Sequence, residues 1–132
     1  MTGLIEVQTS ELTGEPLAWS VAEAEGLTAF IADPQYGNPY RVMVHFRREG
    51  KLLPQQERFK PQVEWSQGGP LIERHQINLE WDGSDGVAFW WQATHQDIVA
   101  FQVGDTPLVA ACRAIVAAKL GDTVQVPKEL IQ

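Results

Sequence analysis

The stretch from Gly104 to Gly121 constrains this chain most, because it spells a complete helix with both ends marked. Thr106 suits an N-cap, and Pro107 suits the first helical position, where no amide hydrogen is needed. Gly121 stands where a left-handed residue closes a helix, and Lys119 complements the dipole at that end. Between the caps, Leu108, Val109, Cys112, Ile115, Val116 and Leu120 share one broad face, and alanines fill most of the remainder. Only Arg113 and Lys119 carry charge. Such a helix is expected to be buried around most of its circumference, so the rest of the chain must wrap it.

The earlier segments supply the wrapping. Leu17, Val21 and Ala24 recur at helical spacing, with Ala18 and Ala22 widening the stripe; Thr13 or Gly14 opens this helix, Pro16 lies in its first turn and Gly26 ends it. Trp19, off the centre of the stripe, reads as a packing residue. Leu27 to Ile31 reads as a short strand closed by Asp33-Pro34, and Tyr36-Gly37-Asn38-Pro39-Tyr40 as a turn flanked by two aromatics. Arg41 to Arg47 alternates, with Val42, Val44 and Phe46 on one face, as a half-exposed strand does. Arg48 to Lys51 resembles a turn, and Leu52 to Lys60 has no period and reads as a loop. Trp65 to Pro70 reads as a glycine-rich break. A strand from Ile72 to Trp81, a hairpin loop Asp82 to Gly86, a strand from Val87 to Thr94 and another from Asp97 to Val103 then lead into the long helix. Thr123 to Pro127 reads as an edge strand. With the short stretch Leu27 to Ile31 set aside, helix, four strands and helix, without βαβ alternation, predict an α+β fold: an antiparallel sheet of about four to five strands packed against two helices, in a single domain over 1–132.

Composition narrows the function classes. With 132 residues, 44% of them hydrophobic and five Trp, the chain is long enough to bury a core and too apolar to stay disordered. A formal charge of −7 argues against nucleic-acid backbone or an anionic membrane as the main partner. The lone Cys112 excludes an intrachain disulfide and fits a reducing compartment. The N-terminus lacks a basic region followed by an apolar run, and no apolar stretch reaches the ~18 residues of a membrane span. The expected location is cytoplasmic.

No catalytic constellation emerges. His45, His75 and His95 are far apart and lack a close-spaced Cys or His, so no metal site is expected. Neither a nucleophile elbow nor a phosphate loop nor a dinucleotide-binding glycine pattern is present. Asp82 and Asp85 read as turn residues rather than calcium ligands, and Cys112 as a packing group. The chain therefore reads as a binding protein rather than an enzyme, with no cofactor expected. Two features suggest a ligand. Gly68-Gly69 would let backbone approach it closely, with Trp65 offering an aromatic face and Arg74 a planar cation, although a plain tight turn explains the glycines too. The helix start at Thr106 offers free amides to an anion, as every helix start does. Arg113, among small neighbours, either pairs structurally at the surface or lines a pocket and forks onto phosphate or carboxylate. Tyr36 and Tyr40 complete the candidate set.

Three blocks carry a family likeness. Leu12 to Ala22, Trp65 to Glu73, and Gly104 to Arg113 continuing through Lys119 to Asp122 and Val126-Pro127 resemble, in that order, the NinX-like proteins of phages and prophages. The chain departs from the family pattern between Ile31 and Phe59, and Phe59 to Glu64 replaces a Tyr-Ser-Pro-Ser-like run. Residues 31–60 are accordingly expected to form a variable segment serving as a lid, an arm or an interface. The resemblance implies a phage or prophage origin and action in the bacterial cytoplasm, and it implies no activity. The leading expectation is a non-enzymatic binder of a small anionic ligand, a nucleotide or nucleotide-derived host signal. A protein-binding accessory factor is the alternative, with homo-oligomer formation left open.

Overall fold

The computed structural model describes residues 3–46, 50, 55–82 and 90–131. The long helix, α3 (Pro107–Leu120), forms as its ends dictate. The Thr106 hydroxyl accepts from the Val109 amide, Pro107 opens the helix and Gly121 closes it at φ 96°. Leu108, Ala110, Ala111, Cys112, Ala114, Ile115 and Val116 are buried, while Leu120 is 37% exposed and lies outside the core expected for it. The first helix, α1 (Gly14–Ala24), is also where the sequence places it, with Leu17, Ala18, Val21 and Ala22 buried against α3. Thr13 stands at its N-cap position, but the Thr13 side chain makes no capping bond.

Two expectations are corrected together. Trp65 to Pro70 is not a break: it is the first half of a third helix, α2 (Trp65–His75), with Pro70 inside it. Gly-Gly-Pro is poor helix sequence, since proline removes one backbone bond and glycine loses entropy. Tertiary packing overrides that preference. A Cβ on Gly68 would lie 2.4 Å from the Pro61 carbonyl oxygen and 2.6 Å from Leu108 Cδ2, so only glycine lets α2 approach so closely. Gln67 adds a two-sided tie, accepting from the Lys60 amide at 2.7 Å and donating to the Arg58 carbonyl at 2.7 Å. Gln76, left-handed at φ 54°, ends the helix, and the Ile77 amide returns to the Ile72 carbonyl as in a Schellman motif.

With a helix between the hairpins, the single sheet divides into three antiparallel ones. The chain ends pair as β1 (Leu4–Gln8) with β8 (Thr123–Pro127), and β2 (Thr28–Ala32), β3 (Arg41–Phe46) and β4 (Gln55–Arg58) form the second sheet in that order. The third runs β5 (Asn78–Asp82), β6 (Trp90–Thr94) and β7 (Gln102–Gly104). Part of the expected loop 52–60 is thus strand β4, whose polar run Gln55-Gln56-Glu57-Arg58 hides its pairing with β3. The strand expected from Ile72 starts at Asn78, because its first residues belong to α2. The expected strand 97–103 shrinks to β7; Asp97 and Ile98 instead turn on His95, bonding its ring and its carbonyl. The expected turn at Arg48 to Lys51 lies, apart from Gly50, outside the described residues. So do the hairpin loop and strand start expected at 83–89.

The core gathers around α3. The β5–β6–β7 sheet, α1 and α2 all pack on it. At Gly104 strand β7 lies close against the helix, where a Cβ would sit 2.6 Å from the Ala110 nitrogen. Residues 31–60 contain β3, whose Val42 and Val44 are core residues. The Thr9 hydroxyl donates to the Gly121 carbonyl at 2.6 Å, fastening the chain's opening turn to the end of α3.

Candidate functional site

The structure distributes the eight residues singled out from sequence over several places. Arg74, near the end of α2, is paired with Glu25 just past the end of α1. Arg113 donates from Nε to the Leu12 carbonyl at 2.8 Å and from Nη1 to the Val103 carbonyl at 2.6 Å. Burial works against its charge and the nearby Asp105 works for it. The Thr106 hydroxyl is engaged in its own cap. Gly68 is filled by Pro61 and Leu108, so no ligand reaches its backbone from that side, whereas Gly69 faces only Trp65. Trp65 is 56% exposed. Tyr36 occupies a left-handed position beside Gly37 in a tight turn bridged by Gln35 and Asn38. A left-handed pair suits a type I′ turn, and it leaves the Tyr36 ring in solvent.

Tyr40 alone of the eight lines a cleft of about 390 Å³. The start of α1 forms one wall, through Thr13, Gly14 and Glu15. Tyr40 and Pro39 come from the approach to β3, and Glu129 and Leu130 from the 3₁₀ turn Lys128–Ile131. Glu11 completes a rim with three carboxylates. Their states differ. Glu15 is held by Arg58 through two short bonds, 2.5 and 2.6 Å, and accepts the Val42 amide at 2.8 Å. Burial pulls the Glu15 carboxyl upward, but the Arg58 bond, the Val42 amide and the charges of Arg58 and Lys60 outweigh it, leaving the carboxyl below its usual range. Glu129 has a buried carboxylate oxygen, Oε1, with no hydrogen-bond partner. A buried acceptor without a donor is costly, and this one is closed off from solvent on a residue that lines the cleft.

Sequence reasoning missed these glutamates. Glu15 sits in a family-like block, yet its partner Arg58 lies 43 residues away in a strand read as loop. A second cluster was equally hidden: Glu25, His75 and His95, spread over α1's end, α2's end and the turn after β6, form one hydrogen-bonded chain. Cys112 is the packing group expected, since burial, with Glu25 adding to it, pushes its thiol up to about 12. No group of three or more metal-ligating side chains occurs among the described residues. No described helix is long and apolar enough to cross a membrane.

These features define a small α+β protein built on a buried helix, with an acidic cleft at the opening of its first helix. The family model described as "Bacteriophage P22, NinX" matches residues 8–119, and the chain belongs to that family. No curated protein matches it.

Proposed function

We propose that this chain is a phage accessory protein that binds a small ligand without transforming it, in the cleft beside Tyr40. The cleft's combination of an aromatic wall, a helix start and carboxylate acceptors carries this reading. Its volume, about 390 Å³, falls in the range of small-ligand pockets. The lining chemistry shifts the ligand from the free anion expected from sequence. Arg74, Arg113 and Thr106 are already engaged, and Glu11 and Glu129 would repel a phosphate placed between them. A flat group that stacks on Tyr40 and brings N–H donors to the glutamates suits the site better. The base of a nucleoside has that chemistry, and a phosphate tail would then lie outside the cleft.

Thermal denaturation with nucleosides, nucleotides and inorganic phosphate tests the reading. A nucleoside at 100 times its dissociation constant adds about 2.7 kcal/mol, while phosphate alone adds nothing. Thr13→Trp, at an exposed position whose side chain makes no cap bond, fills the cleft and abolishes the gain without unfolding the protein. A panel with no stabilising nucleoside or nucleotide sinks the proposal. The protein-binding alternative rests on Val63 and Trp65, near neighbours at the start of α2 that are 60% and 56% exposed.

A further inference from the structure

The chain of buried polar groups outside the cleft has a direction that the backbone alone fixes. The Asp97 amide donates to His95 Nδ1 at 3.0 Å. A backbone N–H can only donate, so Nδ1 holds a lone pair and neutral His95 carries its hydrogen on Nε2. That Nε2–H faces His75 Nδ1 at 3.4 Å, a long bond, which makes Nδ1 of His75 an acceptor too. His75 then carries its hydrogen on Nε2 and donates to Glu25 Oε2 at 2.7 Å. Arg74 occupies the other oxygen of Glu25. Every site on both rings is thereby assigned, and no vacant position remains for an added proton.

We propose that this chain ties the turn after β6 to the ends of α1 and α2 as a latch that acid loosens, His95 at the turn's own closure and His75 at its tie to α2. A proton added to His95 must go on Nδ1, where it meets the Asp97 N–H. One added to His75 must go on its Nδ1, where it meets the His95 Nε2–H. Either event sets two donors against each other: the first opens the turn at Asp97, and the second breaks the link between α2 and the turn. The other link survives, because a His75 cation pairs more strongly with Glu25. Release therefore frees the turn that carries Asp97, while α1 and α2 stay joined.

The surroundings set the pH window. The Glu25 and His75 side chains are 6% and 10% exposed and that of His95 is 2% exposed, so the rings are screened from water, while the Asp97 side chain is 57% exposed. Burial depresses the His95 pKa below its ordinary 6.5; Asp97 opposes this, and His75 and Lys119, the latter on α3, reinforce it. Cys112, also on α3, is within the field of Glu25 and stays a thiol. The neutral ring's contribution is complete above pH 6.5 and is lost as pH falls through the lower folded value.

Nitrogen NMR of the imidazoles, with amide exchange of Asp97 referred to its intrinsic rate, tests the latch. At pH 8 both rings show the Nε2–H tautomer and the Asp97 amide is protected; by pH 5 that protection falls at least tenfold. His95→Asn leaves an acceptor for the Asp97 amide but does not titrate, and its protection is the same at both pH values. An Nδ1–H tautomer on either ring, unchanged wild-type protection at pH 5, or a tenfold loss that persists in His95→Asn overturns the proposal. If His95→Asn does not fold, His75→Gln replaces it. Its amide keeps both links, so release then follows His95 alone, and a variant with no acid release refutes the latch.

Discussion

Gly68 and Gly69 are adjacent in one helix, yet replacing each by alanine should have very unequal effects on stability. Both substitutions gain the same helix propensity, about 1 kcal/mol relative to glycine. At Gly69 the new Cβ meets no non-neighbouring atom nearer than Trp65 Cε3 at 4.0 Å, but Pro70 follows, and its Cδ disfavours a helical residue bearing a Cβ, so the gain is offset. At Gly68 the new methyl falls 2.4 Å from the Pro61 carbonyl oxygen and 2.6 Å from Leu108 Cδ2. Leu108 can rotate away, but the Pro61 contact is backbone, and relief requires α2 to lift from its neighbours. Overpacking of this kind costs about 1–3 kcal/mol, with a backbone obstacle toward the upper end. Gly69→Ala should therefore stay within about 0.5 kcal/mol of wild type. Gly68→Ala should be less stable by about 1–2 kcal/mol, after its propensity gain is deducted. At roughly 4 °C per kcal/mol the Gly68 variant should melt about 4–8 °C below the Gly69 variant. Thermal and urea unfolding followed by circular dichroism, with unchanged m values, measure this directly. If the two variants melt together, α2 does not pack against Pro61 and α3 as described.

Two further outcomes follow from the polar ties. Arg113→Lys should lower the melting temperature by the equivalent of about 2 kcal/mol, because an ammonium cannot reach the Leu12 and Val103 carbonyls together; a variant that melts as wild type does would return Arg113 to the candidates for ligand contact. Glu15, whose folded pKa is depressed, contributes stability that is complete above its ordinary 4.5 and is lost as pH falls through the folded value, so Glu15→Gln should flatten the acid limb of a stability–pH curve.

The parts of the fold legible in the sequence were those whose reasons are local. α3 and α1 announce themselves because propensity, periodicity and end signals agree over short windows, as at Thr106, Pro107 and Gly121. β3 was legible for the same reason, since Val42 and Val44 alternate with Arg41, Met43 and His45. α2 was not. Its Gly-Gly-Pro core argues against a helix locally, and the compensation comes from Pro61 and Leu108, the second of them 40 positions downstream. β4 was lost likewise: Gln55 to Arg58 carries no apolar alternation, and only its pairing with β3 makes it a strand.

The candidate site shows the same division in a sharper form. Residue type drew attention to Arg74, Arg113 and Thr106 because each can hold an anion, but chemistry in a fold depends on what remains unused after folding. Arg74 is engaged by Glu25, Arg113 by two carbonyls and Thr106 by its own helix. Tyr40 stays in play because it lines the cleft, and Glu129 because its buried oxygen lacks a donor. A glutamate in the sequence is one of many; a glutamate whose oxygen is buried and unpartnered is a specific energetic debt. That distinction exists only in three dimensions. It is why the ligand chemistry moves from an anion gripped by arginines to a donor-bearing group laid against Tyr40.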